Sequence, residues 1–307
     1  MLATLTDDRF SSPDWIYERK LDGVRALAFR SGRSVRLMSR NRKEMNGAYP
    51  ELVDAIRSQT THDCIVDGEI VAFEGAQTSF ARLQGRMKIT DPDEARKSRI
   101  AVYYYLFDLL HLDGRDVTRL PLRDRKRLLR RAIEYRDPLR FAAHRNEIGQ
   151  KMHADACERG WEGIIAKRAD SRYTHSRSRD WLKFKCVHQQ ELVIGGFTDP
   201  EGSRPGFGAL LLGVYDDGKL RYAGRVGTGF DDDTLRDLAK RLKKKERDES
   251  PFSGGAGAKK GVHWVEPALV AEIGFTEWTR DARLRHPRFL GLRRDKPPRQ
   301  VHRESPA

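Results

Sequence analysis

Apolar positions along the chain recur in two rhythms, and the balance between them changes once. Trp15-Ile16-Tyr17, Val24–Phe29 and Val35–Met38 are short β-branched or aromatic runs parted by polar or glycine turns, which predicts strands. Pro50–Arg57 opens on proline and carries Leu52, Val53 and Ile56 at helical spacing. Cys64–Phe73 and Ile100–Leu110 are apolar, β-branched or aromatic, and long enough for central strands. Pro121–Tyr135 predicts a surface helix, with Leu122, Leu128, Leu129 and Ile133 as one apolar stripe among basic residues. Another helix is predicted over Asn146–Arg159, stopped by Gly160, and two more strands over Glu162–Lys167 and Trp181–Lys185.

The change falls near Val187–Gln190. Beyond it come short strands with glycine-rich turns, Glu191–Phe197, Ala209–Tyr215, Leu220–Val226 and Val270–Trp278, interrupted by one helix over Asp233–Lys245. Several short strands with a single helix predict a small β-barrel such as an OB-fold. Ser250–Gly261 is a flexible loop by composition. The expected division is a first domain over residues 1–188, a second over 189–300 and a tail over 301–307.

Composition agrees with two domains, since 307 residues at roughly 100–200 per domain allow about that many. No run of about 18 apolar residues occurs, which excludes a transmembrane helix. The first residues show no basic segment followed by an apolar stretch, so no secretory signal is expected. Cys64, Cys157 and Cys186 are odd in number, far apart and form no C-x-x-C pair, so neither a disulfide nor a cysteine-based zinc site is expected. A cytoplasmic protein fits. The formal net charge is +14, and residues 280–303 hold nine Lys and Arg against two Asp, half of that excess. Such a surface suits a polyanion: nucleic acid, acidic membrane or a heparin-like polymer.

Chemistry enters through short motifs. No G-x-x-x-x-G-K-[ST] loop occurs, and Gly206-Phe207-Gly208 lacks the third glycine of a dinucleotide fingerprint. Lys20-Leu21-Asp22-Gly23 follows a predicted strand; alone it reads first as a charged turn. Others follow it in order: Ser39-Arg40, Asp67-Gly68-Glu69-Ile70-Val71 and Tyr105-Leu106-Phe107-Asp108-Leu109. Glu162-Gly163-Ile164-Ile165-Ala166-Lys167 and Trp181-Leu182-Lys183-Phe184-Lys185 come next, then Arg285-His286-Pro287-Arg288-Phe289 and Arg293-Arg294-Asp295-Lys296.

This ordered set resembles the nucleotidyltransferase motifs of ATP-dependent DNA ligases over nearly the whole chain. It is most similar to the ligase domain of bacterial non-homologous end-joining ligases and their stand-alone relatives. The resemblance implies an α+β fold, an ATP-grasp-like nucleotidyltransferase (adenylylation) domain followed by a C-terminal OB-fold β-barrel. It implies a reaction too: Lys20 takes AMP from ATP, the AMP moves to the 5′-phosphate of nicked double-stranded DNA, and the 3′-hydroxyl displaces it.

A lysine attacks the α-phosphate only as the neutral amine, so its pKa has to fall beside other cations. Lys167, Lys183 and Lys185 are expected to supply them, joined by Mg2+ or Mn2+. Strand alternation puts Lys183 and Lys185 on one side, which suits a solvated face or two ammonium groups aimed at one phosphate. Trp181 is expected in the core, and Gly23 is expected to let the backbone approach a nucleotide. Glu162 is the implied metal ligand and Glu69 a ligand of ribose or metal. A lone Glu in an apolar strand is costly unless paired, which favours a site for both. By the same resemblance Glu18 reads the adenine amino group, Phe107 stacks on adenine and Arg25 holds ribose or phosphate. Arg40 would grip the 5′-phosphate at the nick, a bidentate role that Lys fills poorly.

Arg293, Asp295 and Lys296 match the R-x-D-K part of the C-terminal motif, and are expected to orient pyrophosphate as the second domain closes over ATP. The first motif begins at residue 20, leaving no room for the N-terminal DNA-binding domain of larger ligases. Encirclement of the nick is therefore expected to be incomplete, or to depend on the basic helix Pro121–Tyr135 and on a Ku-like end-binding partner. A nucleoid-associated monomer serving DNA repair or end joining is the expectation. An RNA ligase and a GTP-using capping enzyme are the alternatives within the superfamily. A silent nucleic-acid-binding scaffold is the alternative outside it, disfavoured by intact Lys20, Glu162, Lys183 and Lys185.

Overall fold

A computed structural model describes residues 1–61, 63–186, 188–254 and 261–304, which separate into two compact units, Met1–Cys186 and Val187–Glu304. Residues 255–260 of the predicted loop and 305–307 of the predicted tail lie outside the described residues.

The first unit begins β1 (Leu2–Leu5), β2 (Trp15–Arg19), β3 (Val24–Ser31), β4 (Ser34–Ser39), α1 (Pro50–Arg57), β5 (Asp63–Glu74) and β6 (Gln77–Thr78). It continues α2 (Phe80–Met87), α3 (Pro92–Lys97), β7 (Val102–Leu112), β8 (Arg115–Asp116), α4 (Leu122–Ala132) and β9 (Leu139–Phe141). Last come β10 (His144–Asn146), α5 (Gly149–Glu158), β11 (Gly163–Arg168) and β12 (Arg177–Lys185). Each strand and helix that periodicity predicts here is present, with shifted ends. Helices α2 and α3 are additional. They bury only Phe80, Leu83 and Arg86, and Ala95, too few positions to show a period. Side chains at their N-termini mark them instead: Ser79 accepts from the Arg82 N–H, and Asp91 from the N–H groups of Asp93 and Glu94.

The strands form two sheets, β1-β12-β11-β2-β10 and β4-β3-β5-β7-β8, with β6 on β5 and β9 on β7. Alternation gives each an apolar and a polar face. In the first, Tyr17, Ile164, Ala166, Leu182 and Phe184 pack with Ala156 of α5. Residues of the opposite parity, Glu18, Ile165 and Lys183, stand in register across β2, β11 and β12. In the second, Val24, Ala26, Val66, Ile70, Tyr104 and Leu106 are buried with Leu52, Leu83 and Leu129 of α1, α2 and α4. Arg25, Asp67 and Glu69 occupy its other face. The β5–β7 register runs from Asp67↔Asp108 to Gly68↔Leu106, so Phe107 is the extra residue of a bulge, a device that re-aims a side chain.

Cys157 and Cys186 are joined in a disulfide, their Cα atoms 5.2 Å apart across 29 residues of chain. This overturns the expectation drawn from chain distance: α5 packs on β11, beside β12, and brings the two sulfurs together. Cys64 is buried and free.

The second unit holds β13 (His188–Thr198), β14 (Leu210–Asp216), β15 (Lys219–Val226), α6 (Asp232–Lys243) and β16 (Glu246–Arg247). It ends with β17 (Val262–Phe275), β18 (Glu277–Trp278), β19 (Leu284–Arg285), β20 (Arg288–Arg293) and a 3-10 turn at Pro298–Gln300. The main sheet runs β15-β14-β13-β17-β16 with β20 also on β17. Ile194, Phe207, Leu212, Val270 and Ile273 share its core with Leu235, Leu238 and Leu242 of α6. β17 starts at Val262 rather than Val270. Its register with β13 jumps from Ile194↔Leu269 to Gly196↔Trp264, and the stretch left out of that ladder contains Pro267, which cannot donate to it. Residues 301–304, set apart in sequence as a tail, belong to this unit. Val301 is buried, and its carbonyl accepts from the Tyr215 N–H at 2.7 Å. None of the described helices is long and apolar enough to cross a membrane.

Candidate active site

The polar faces of the two sheets of the first unit line one cleft, whose walls include Glu18, Lys20, Arg25, Glu69, Phe107, Ile165, Lys167 and Trp181. Glu162 joins them through an ion pair with Lys20. Lys183 and Lys185 share the parity of Trp181 along β12 and are half-buried, but do not line the cleft. Arg40 is exposed in the turn after β4, also outside the lining. Arg293, Asp295 and Lys296 belong to the second unit.

Lys20 stands just past β2, where its N–H donates to the Gly163 carbonyl at 2.9 Å and extends the β2–β11 ladder. Burial would lower its pKa, but Glu162, with Asp22 and Glu69 adding, holds it above the ordinary lysine value. The expectation that neighbouring cations depress it is overturned, because the charge nearest the amine is a carboxylate. Glu162 Oε2 is buried with no hydrogen-bond partner, a place where a cation or a donor fits. Gly23 has a packing task rather than the expected nucleotide contact: a Cβ there would run into the Ile70 carbonyl and the Val71 side chain.

Glu18 is buried and accepts from Lys126 at 2.6 Å and from Lys167 at 2.7 Å. Burial alone would raise its pKa; the two ammonium groups outweigh that and hold it below the usual glutamate value. Burial lowers Lys167 to about 8, Glu18 opposing and Lys126 adding its repulsion. The Lys167 ammonium lies 4.2 Å from the ring centre of Phe107 and 4.0 Å from that of Trp181, in cation–π range of both. Trp181 is buried, as expected, yet also forms cleft wall.

Arg25 holds Asp67 in a fork, Nε to Oδ1 at 2.9 Å and Nη2 to Oδ2 at 2.5 Å, while the Tyr173 hydroxyl donates to Asp67 at 2.8 Å. Its guanidinium stands 5.2 Å from the Phe107 ring centre, so it reaches the cleft already oriented. Behind the cleft, Arg125 and Asp108 form a fully buried bidentate pair at 2.7 and 2.8 Å.

Lys126, Arg125, Asp67 and Tyr173 were not singled out from the sequence as site residues. One signal was present: Leu122, Arg125, Lys126 and Leu129 are the buried residues of α4, at i, i+3, i+4 and i+7, so two cations occupy the inward stripe. Tyr173 carried none.

In the second unit Arg293 forks Asp295 at 2.9 and 2.8 Å and reaches Glu272 at 3.4 Å, and Lys296 donates to Glu191 at 3.0 Å. Glu191 and Glu272 are register partners on β13 and β17, so the motif is anchored to the sheet by its own carboxylates.

Comparison with known proteins bears on this geometry. The family model of the ATP-dependent DNA ligase domain matches residues 1–185, and that of the ATP-dependent DNA ligase C-terminal region matches residues 203–296. The chain is 38% identical over 302 residues to the multifunctional non-homologous end joining protein LigD of Pseudomonas aeruginosa, covering 96% of this chain and 35% of that one. It is 35% identical over 298 residues to a DNA ligase of Natronomonas pharaonis, covering 92% of this chain and 52% of that one. It thus spans about a third to a half of the length of these relatives. A solved structure, mycobacterial DNA ligase D complexed with ATP and MES, matches with a TM-score of 0.68 at 34% identity, over 99% of this chain and 98% of that one. The two units are accordingly a nucleotidyltransferase domain and a C-terminal OB-fold domain, as expected from the motifs. With family models on both units and relatives above 30% identity, the chain belongs to the ATP-dependent DNA ligases.

Proposed function

We propose that this chain seals 5′-phosphate/3′-hydroxyl nicks in duplex DNA, through a lysyl-AMP on Lys20 and then a DNA-adenylate. The observation that carries the proposal is Lys20 itself: a lysine ion-paired to buried Glu162, in a cleft shared with Glu18, Glu69, Arg25 and Phe107. Phosphoryl transfer depends on positioning and charge stabilisation, and these side chains supply both. Glu18, fixed by two lysines, reads the adenine amino group; Phe107 offers a ring for stacking; Arg25 holds ribose or phosphate. Lys167, Lys183 and Lys185 add positive charge on the phosphate side.

Glu162, whose Oε2 is buried and unpartnered, fits Mg2+ or Mn2+ as an oxygen ligand, with Glu69 as the second choice. Such an ion, when bound, supplies positive charge beside the amine and the phosphate. Arg293 and Lys296 orient the pyrophosphate, exchanging Glu272 and Glu191 for phosphate oxygens, while Asp295 keeps Arg293 aligned. Arg40 grips the 5′-phosphate of the nick. Likeness to proteins named for non-homologous end joining extends the proposal to end repair with a Ku-like partner, the chain acting as a monomer on nucleoid DNA; its excess of positive charge supports the DNA contact.

The test is sealing of a duplex with one 5′-phosphorylated nick by the pure chain with ATP and Mg2+. A sealed strand is expected, absent with Lys20→Ala. Binding of the nicked duplex without sealing would favour the silent scaffold, and sealing confined to RNA strands would favour an RNA ligase.

A further inference from the structure

One cluster of soft donors has no part in the reaction proposed above and stands independently of it. His153 and Cys157 lie four residues apart on one face of α5, and Cys186 follows the end of β12. Their Nε2 and Sγ atoms lie within 4.8 Å of one another. His153 Nε2 is 3.5 Å from Cys157 Sγ and 4.0 Å from Cys186 Sγ. Zinc bonds of about 2.3 Å to sulfur and about 2.0 Å to nitrogen place S and N about 3.5 Å apart at the corners of a tetrahedron. Both Sγ–Nε2 spacings therefore suit a metal once the sulfurs are separate. The imidazole is held edge-on against Phe184, ring centres 6.2 Å apart. Burial keeps its pKa below the ordinary histidine value, so the neutral, ligating form is present at neutral pH. All three side chains are half-buried, so water reaches the fourth position.

We propose that His153, Cys157 and Cys186 form a zinc site that alternates with the Cys157–Cys186 disulfide: the reduced chain binds one Zn2+ through two thiolates and one imidazole, and the oxidised chain binds none. A dithiol reductant gives two electrons and two protons to the S–S bond, which breaks into two thiols while the reductant closes its own disulfide. Zn2+ then displaces the two thiol protons to solvent and takes Nε2 of the neutral imidazole. Disulfides in reducing compartments are mostly transient or redox-sensing, which suits a bond with an alternative partner.

The full chain is reduced with a phosphine under anaerobic conditions and titrated with Co2+, the spectroscopic stand-in for zinc. The oxidised chain and the variants His153→Ala, Cys157→Ser and Cys64→Ser are titrated beside it. The reduced chain is expected to bind one Co2+ with thiolate-to-metal charge-transfer absorption and the intense visible bands of tetrahedral cobalt, all removed by Zn2+. The oxidised chain is expected to show none of this, and Cys64→Ser to behave as the unaltered chain. Cys157→Ser should lose about half of the charge-transfer intensity, and His153→Ala should bind at least about tenfold more weakly, the loss that even an outer partner of a metal ligand brings. A reduced, unaltered chain without thiolate charge transfer, or an oxidised chain that binds equally well, would overturn the proposal without any variant. Loss of the signal in Cys64→Ser would do the same.

Discussion

Glu18 illustrates how one side chain in this cleft is fixed. A lone buried carboxylate would take up a proton, whereas Lys126 and Lys167 each hold one of its oxygens and keep it ionised and aimed. Lys126→Met leaves a single charge partner. It should raise the ATP concentration for half-maximal self-adenylylation by about tenfold, equivalent to about 1.4 kcal/mol. Stability should fall by about 1–3 kcal/mol, read by urea unfolding. An unchanged ATP dependence would separate Lys126 from the nucleotide. Arg40 belongs to a different step, being exposed and outside the cleft lining. In Arg40→Ala self-adenylylation should survive while nick sealing falls by about tenfold or more, the loss of one charge-assisted fork. Equal loss of both activities would remove it from the DNA 5′-phosphate. Lys20, Glu162 and Glu69 were legible in sequence because they stand in short motifs whose order follows the chain. Lys126 and Tyr173 were not, since their partners Glu18 and Asp67 lie 108 and 106 residues away.

At the scale of elements, α4 departs most from its sequence pattern. Its basic residues suggest a helix exposed all round except for one apolar stripe, yet Arg125 and Lys126 point inward with Leu122 and Leu129. Arg125 is satisfied there by Asp108 and by the carbonyls of Leu120 and Ser171 at 2.6 and 2.8 Å. Breaking such a pair strands a buried charge, so Arg125→Met should cost about 3–5 kcal/mol in denaturant unfolding. The double variant Arg125→Met/Asp108→Leu should recover most of it. A single-variant cost below about 1 kcal/mol, the worth of an exposed pair, would show that the pair is not buried in solution. Periodicity otherwise located the strands well, because each sheet has one apolar face. It lost β20, whose Arg288 and Arg293 bracket Phe289 and Leu290, and the start of β17, where Pro267 imitates a strand end.

For the whole molecule the positive excess divides by location. Part lies buried in the cleft of the first unit, where Lys20 and Lys167 face carboxylates. Another part, Arg293 and Lys296, is held by Glu272, Asp295 and Glu191 in the second. Burial would raise the pKa of Glu191, but Lys296 and Arg293 bring it down to about 2, from an ordinary 4.5. A carboxylate whose folded pKa is depressed stabilises above its unfolded pKa, and that contribution disappears as pH falls through the folded one. The stability gap between the unaltered chain and Glu191→Gln should therefore be full above pH 4.5 and close towards pH 2, read from thermal melts. Parallel curves across that window would contradict the ion pair. The division into two domains was legible in the shift from mixed helices and strands to short strands near residue 188. The contacts that integrate residues 301–304 were not, because an isolated Val301 among polar residues carries no period.

The most direct measurement is incubation of the pure chain with ATP labelled at the α-phosphate, followed by a chase with unlabelled nicked DNA. Label should appear on the protein, be absent in Lys20→Ala, and pass to the DNA during the chase. Label that persists in Lys20→Ala, that comes only from GTP, or that never leaves the protein would contradict Lys20 as the carrier of AMP to the nick.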